Sequence, residues 1–273
     1  MAGFEPSRYP SKMPPATPAI ACHDLTIRVP GRTLVENLHL EVARGEFIAV
    51  LGRNGAGKTR TMHTLAGLLV ADGGYVELSG RMLATLKRQE IARQVALLPQ
   101  YVDDVFPATV LDTVLIGRHP HIGPLELESP ADRKIASRAL ERVDLEGFAE
   151  RDIATLSGGE RRRAAIAQVL TQTPATYLLD EPTNHLDPQH QLDVLDVFAA
   201  EAANGATVIA NLHDVNLAVR FAGRCLLLYG DGRWSSGTTA QVLDEQRLTE
   251  LYGTQIEAVR WRQRTIFMAT GNA

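Results

Sequence analysis

Polar and apolar residues alternate across 25–29 and again across 38–42, the two-residue period of strands with one buried face, and Pro30-Gly31 supplies a turn between them. Residues 47–51 carry no polar side chain, so the next strand is expected to be covered on both faces. That run leads directly into a glycine-rich loop at 52–57. Met62, Leu65, Leu68 and Leu69 then recur at helical spacing, predicting a helix that begins near Lys58 and ends at Asp72-Gly73-Gly74. A strand at 75–78, a turn at Ser79-Gly80, a polar helix over 87–93 and a strand at 95–98 follow.

From 109 to about 150 the spacing turns helical and is punctuated by Pro120, Gly123, Pro124 and Pro130, which predicts an inserted helical subdomain lying roughly within 101–160. Beyond it, strands at 177–179, 207–211 and 225–229 alternate with helices near 159–171, 189–203 and 215–221. This alternation predicts an α/β fold in which a parallel sheet has helices on both faces. No internal repeat is present, so one chain supplies one such unit.

With 273 residues, 45% hydrophobic and 22% charged, the chain is long enough for one domain with a large core. A net charge of −4 offers no global positive field for a polyanion, which argues against a nucleic-acid partner. The two cysteines, Cys22 and Cys225, form no metal or redox spacing and are expected to be buried apolar residues. The apolar runs have strand length, well below the roughly 20 residues of a membrane helix. Residues 1–19 contain five prolines and no apolar signal-peptide core, predicting a flexible extension of a cytoplasmic protein. The folded domain is expected over 20–260, with 261–273 as a C-terminal tail.

Gly52-Arg53-Asn54-Gly55-Ala56-Gly57-Lys58-Thr59 has the G-x-x-x-x-G-K-[ST] pattern of a phosphate-binding loop. Its glycines let backbone N–H groups and a helix N-terminus face the phosphates, Lys58 neutralises β/γ oxygens and the Thr59 hydroxyl holds Mg²⁺. Residues 175–181 form an apolar strand ending in Asp180 and Glu181, at the sheet edge where α/β folds bind nucleotides. Asp180 is placed to orient Mg²⁺ and Glu181 to act as general base toward a water. Leu156-Ser157-Gly158-Gly159-Glu160 opens a helix with Ser157 as its N-cap, and by chemistry alone this is a further anion-binding position.

That pentapeptide resembles the signature motif of the ABC ATPases, and it lies between the phosphate loop and the Asp180-Glu181 strand as in that family. Other motifs follow in family order across residues 20–253. Gln100, after Leu97-Leu98-Pro99, resembles the glutamine that senses Mg²⁺ and the γ-phosphate; Asn184-His185-Leu186-Asp187 resembles the D-loop; His213 resembles the switch histidine. The resemblance implies a P-loop NTPase with a RecA-like core, an N-terminal antiparallel β subdomain and the inserted helices. It also implies ATP and Mg²⁺ as cofactors and a homodimer sandwiching two ATP, each site combining one chain's phosphate loop with the partner's Ser157, Gly158 and Gly159, with Arg60 and Asp187 among the nucleotide-binding positions. Transmembrane permease subunits on the cytoplasmic face of the inner membrane, served by a periplasmic substrate-binding protein, complete the implied assembly.

Within the family, residues 113–121, 184–191 and 248–253 resemble the ATPases of iron-siderophore, heme and cobalamin importers, and 228–232 resembles the cobalamin branch. The polar, proline-broken surface of 101–130 reads from its residues either as a seat for a coupling helix of the permease or as an ordinary loop. Three positions depart from the family pattern: Val29 stands where many relatives carry an adenine-stacking aromatic, Arg60 where a small hydroxyl residue is usual, and Arg162 where the helix usually has glutamine. Two alternatives are a soluble ABC ATPase acting in DNA repair or translation and a regulatory module that binds ATP without hydrolysing it.

Overall fold

The computed structural model describes residues 17–101, 107–262 and 264–271. In chain order the elements are β1 (Ile20–Val29), β2 (Arg32–Val42), β3 (Phe47–Leu51), α1 (Lys58–Leu65), β4 (Gly73–Leu78), β5 (Arg81–Met82), α2 (Arg88–Ala92) and β6 (Val95–Leu98). The helical insertion contributes α3 (Val110–Leu115) and α4 (Pro130–Glu141), followed by α5 (Gly158–Thr171). The chain continues through β7 (Thr176–Asp180), α6 (Pro188–Ala203), β8 (Thr207–Asn211), α7 (Val215–Phe221), β9 (Arg224–Leu228), β10 (Trp234–Thr238) and α8 (Thr239–Val242). It ends with α9 (Glu245–Tyr252), β11 (Ile256–Trp261) and β12 (Arg264–Ala269).

The strands form an antiparallel sheet ordered β2-β1-β4-β5 and a six-stranded sheet ordered β10-β9-β3-β8-β7-β6, parallel except for its β10 edge. The unbroken apolar strands have a simple cause. In β3, Phe47, Ala49 and Leu51 enter one core while Ile48 and Val50 enter the other. Alternate residues of β7, β8 and β9 divide the same way, as Leu179 against Leu178 and Val208 against Ile209 show. One core packs beneath α5, α6 and the inserted helices; the other lies between the large sheet, α1 and the antiparallel sheet. Each buried leucine or isoleucine contributes about 1.5–3 kcal/mol by leaving water. Cys22 and Cys225 are buried in different cores, and burial pushes their thiols up to about 12 and about 11.

The insertion is anchored by one buried cation. The Arg118 side chain, on the turn Ile116–His121, bonds Asp132 Oδ1 at 2.8 Å, Thr171 O at 3.1 Å and Thr173 Oγ1 at 3.0 Å. Its neighbour Gly117 allows the turn to lie against α5, because an added Cβ would sit 2.3 Å from Gln168 O. Asp132 also accepts from Ser129 N at 2.9 Å and closes the cap of α4.

Two expectations require correction. Residues 261–273 are not a plain tail: β12 pairs antiparallel with β11, and Asn216 fastens the hairpin by exchanging two hydrogen bonds with the Phe267 backbone, at 2.9 and 3.2 Å. The expected extension is also shorter than 1–19 at its folded end, since Ala19 is buried and donates to Val42 O at 2.8 Å. Residues 1–16 of that extension lie outside the described residues, as do 102–106 of the insertion.

The Ser129 hydroxyl, Arg118 and the Ser129 N–H together hold Asp132 down to about 2. A carboxyl depressed in the fold contributes stability above its unfolded value near 3.9 and loses it as pH falls through the folded value. Asp132→Asn is therefore expected to lower unfolding free energy by roughly 1–3 kcal/mol at pH 7. In urea melts, the gap between variant and wild type should close between about pH 4 and pH 2.

Candidate nucleotide-binding site

The phosphate loop leaves the carboxyl end of β3 with β8 on one side and β9 on the other. Gly52 permits the exit, for an added Cβ would lie 2.5 Å from Leu228 O. Gly55 and Gly57 take φ of 77° and 104°, conformations that side-chain-bearing residues rarely adopt, and Gly57 is the N-cap of α1. Arg53, Asn54 and Gly55 are exposed along the loop, Ala56 is buried beneath it, and the Arg32 guanidinium fastens it by donating to Gly55 O.

Lys58 is only 5% exposed and folds back over the loop, donating to Gly52 O at 2.8 Å and Arg53 O at 3.3 Å. Desolvation pulls its ammonium below the usual lysine range, against the opposing pull of Glu181 and Asp180. A buried cation held only by neutral carbonyls gains from exchanging them for phosphate oxygens. Thr59 is half-buried at the start of α1, and Arg60 is exposed beside it.

Two strands away, β7 delivers Asp180 and Glu181. Asp180 is wholly buried; its Oδ1 accepts from Asn211 Nδ2 at 2.6 Å, at the end of neighbouring β8, while Oδ2 has no partner among the described residues. Glu181 turns out of the strand with a positive φ of 52°. Its Oε1 lies 2.6 Å from His213 Nε2, and its Oε2 accepts from Gln100 Nε2 at 2.8 Å and from Asn184 Nδ2. A carboxylate offers about four lone-pair positions, so three donors fix its orientation and leave room on Oε1 for one more proton donor.

The structure therefore brings Lys58, Gln100, Asp180, Glu181 and His213 to one sheet edge. Ser157, Gly159 and Asp187 line a different open cleft, shared with Glu160, Arg163, His185 and His190, and Gly158 opens the helix above it. Ser157 Oγ accepts from Glu160 N at 3.3 Å as the N-cap of α5, and Asp187 caps α6 by accepting from His190 N at 3.0 Å. The helix N-terminus and glycines at this cleft suit an anion, yet the cleft contains none of the five residues gathered around Glu181.

Asn211 and Asn184 were not singled out as site residues by sequence reasoning, although each holds a carboxylate of the site. Asn184 carried a signal, as the first residue of the recognised D-loop. Asn211 carried none beyond being the last residue of a predicted strand. Among the described residues no helix is long and apolar enough to cross a membrane, and no cluster of three or more His, Cys, Asp or Glu side chains is placed to hold a metal alone.

Residues 35–184, more than half of the chain, match the sequence profile of the ABC transporter family. A hemin import ATP-binding protein of Deinococcus radiodurans is 40% identical over 249 residues, covering 89% of this chain and 94% of its own length. A petrobactin import ATP-binding protein of Bacillus anthracis is 35% identical over 235 residues, covering 86% of each chain. Among solved structures, a metal-chelate type ABC transporter in an inward-facing conformation superposes with a TM-score of 0.80 at 28% identity, covering 92% of this chain and 97% of its own. A dimeric bacterial ABC transporter cassette follows with 0.71 at 25% identity, covering 81% and 98%. The chain belongs to the ABC transporter family, as one of its ATP-binding, ATP-hydrolysing subunits.

Proposed function

We propose that this subunit powers the import of heme or a ferric siderophore, working as a homodimer on the cytoplasmic face of the plasma membrane beneath transmembrane permease subunits. A periplasmic substrate-binding protein would deliver the cargo to that permease. The observation that carries the hydrolytic reading is the Glu181 carboxylate, held by His213, Gln100 and Asn184 beside the Lys58 loop. The cargo class rests on the hemin and petrobactin import relatives, which match over most of both chains. They favour these iron chelates over the cobalamin suggested by residues 228–232, and favour transport over DNA repair or translation.

Oxygen donors suit Mg²⁺, and the site provides them: the unpartnered buried Oδ2 of Asp180, the Thr59 hydroxyl, and the oxygen of Gln100, whose amide nitrogen is already given to Glu181. When bound, the ion supplies neutralisation of phosphate charge. Lys58 exchanges its two carbonyl partners for β/γ oxygens. Glu181 Oε1 takes a proton from the attacking water; the new bond forms to the γ-phosphorus while the bond to the β-phosphate oxygen breaks and ADP leaves with that electron pair. His213 keeps Oε1 aimed.

Since Ser157, Gly158, Gly159 and Asp187 lie apart from the phosphate loop, a second copy is the source of those groups for each ATP. ATP then stabilises the closed pair over the open one, and this differential affinity is what the permease receives as motion. The insertion surface offers it a docking face, with Ile116, Leu125 and Leu127 exposed and Pro120 O tied to α2 by Gln89 and Arg93, at 3.1 and 2.7 Å.

Three measurements test this reading. Glu181→Gln should lower kcat roughly 100- to 10,000-fold and accumulate an ATP-bound dimer on size exclusion; unchanged turnover would remove Glu181 as the base. The His213 side chain is 43% exposed, so His213→Ala should cost no more than about 1–3 kcal/mol of urea stability for the bond lost by buried Glu181, while kcat falls at least tenfold. Tagged protein purified from its native membranes should bring a permease whose ATPase rises with heme or a ferric siderophore plus a binding protein. Recovery with ribosomes or DNA instead would sink the transport reading.

A further inference from the structure

Arg162 is one of the three departures from the family pattern, and nothing described so far uses it. It lies in the second turn of α5 and is only 5% exposed. Its guanidinium donates to backbone carbonyls of two separate loops. Nη1 reaches Pro99 O at 2.6 Å and Gln100 O at 3.4 Å, just past β6. Nη2 reaches Asp180 O at 2.8 Å and Glu181 O at 2.7 Å, and Nε reaches Pro182 O at 3.4 Å, just past β7. β6 and β7 pair only as far as Leu98 and Leu179, so the carbonyls that Arg162 bonds lie beyond the end of the β6–β7 ladder. Arg162 supplies donors to them there.

The same carbonyls belong to Gln100 and Glu181, whose side chains bond each other at 2.8 Å. Glu181 is also the residue with the left-handed backbone, and the bond from Nη2 to its carbonyl holds it there. A glutamine at 162 has two N–H donors on one nitrogen, too few to satisfy both loops, whereas arginine presents five in a rigid fork. The cation is also matched in charge. Burial lowers Arg162 to about 10, opposed by attraction to Asp180 and Glu181, so it stays protonated at neutral pH.

We infer that Arg162 is a positioning residue that locks the N-terminal turns of α5, the Gln100 loop and the Glu181 loop into one unit. The consequence depends on the dimer reading above. Ser157 caps this same helix and serves the partner's nucleotide, while Gln100 and Glu181 serve the chain's own. Arg162 thus ties one chain's contribution at one ATP to its contribution at the other. It makes the two hydrolytic sites respond together. Among the described residues Lys58 and its loop make no bond to Arg162, so the phosphate loop that carries most of the nucleotide's contacts is formed without it.

The test uses the full chain and compares wild type, Arg162→Gln and Arg162→Lys for ATPase rate against ATP concentration, equilibrium ATP binding and thermal melting. Arg162→Gln should lower kcat by ten- to a hundredfold, because Glu181 and Gln100 lose their fixed placement. Its Hill coefficient should fall toward one, and ATP affinity should stay within about threefold of wild type. Arg162→Lys keeps the buried charge and loses the fork, so it should melt closer to wild type yet recover only part of kcat; it answers the question if the glutamine variant does not fold. A folded variant with wild-type kcat and Hill coefficient would overturn the inference. Equal losses of kcat and ATP affinity would overturn it too, by showing a merely structural role. A wild-type chain without ATPase activity at concentrations where it is dimeric would instead remove the functional reading beneath it.

Discussion

Two buried cations and two buried anions meet at the carboxyl edge of the large sheet: Lys58 after β3, Arg162 reaching in from α5, and Asp180 with Glu181 at the end of β7. Desolvation lowers both cations, and both are drawn back by the same two carboxylates. Removing any one charge would leave another buried without compensation, a change that typically costs 3–5 kcal/mol. The parallel order of β3, β8, β7 and β6 makes this concentration possible, since all four strands release their loops at the same edge. Two buried oxygens there, Asp180 Oδ2 and Asn211 Oδ1, still lack partners among the described residues.

How far the sequence reveals this arrangement depends on where each determinant lies along the chain. The strands Phe47–Leu51 and Thr207–Asn211 were legible to the residue because both faces are buried and no polar position interrupts the run. β1 and β2 extend well beyond the alternating stretches that announce them, and the register between the two strands shifts between Cys22 and Leu25, where the alternation of β1 begins. The hairpin β11–β12 escaped notice for a different reason: among its described residues Ile256 alone is buried, and its apolar residues do not fall into the strict alternation of a strand with one core face. At the site, contiguous motifs were visible, and contacts across long separations were not. Asn211 meets Asp180 across 31 positions, and Arg162 reaches Pro99 across 63. Sequence marked Arg162 as unusual but gave no account of its contacts.

The geometry also separates what one chain can do alone from what it can do in company. The Lys58 loop and the Glu181 cluster are assembled within a single copy, down to the orientation of each carboxylate oxygen. Ser157 and Gly159 at the start of the signature helix and Asp187 at the end of the D-loop line a separate cleft. In the homodimer proposed above, the second copy would complete the reaction site, and the helical insertion is held against α5 through Arg118.

The two cysteines bear on how the molecule can be studied. Each is buried in a separate core, with its thiol pushed up to about 12 for Cys22 and about 11 for Cys225. At neutral pH both thiols therefore stay protonated, and both are shielded from solvent. The native chain is expected to react slowly with maleimides and mild oxidants. A spectroscopic label can therefore be attached to a single introduced surface cysteine without first stripping out the natural ones, so movement between the two halves of a working assembly is open to distance measurement in an otherwise unaltered protein.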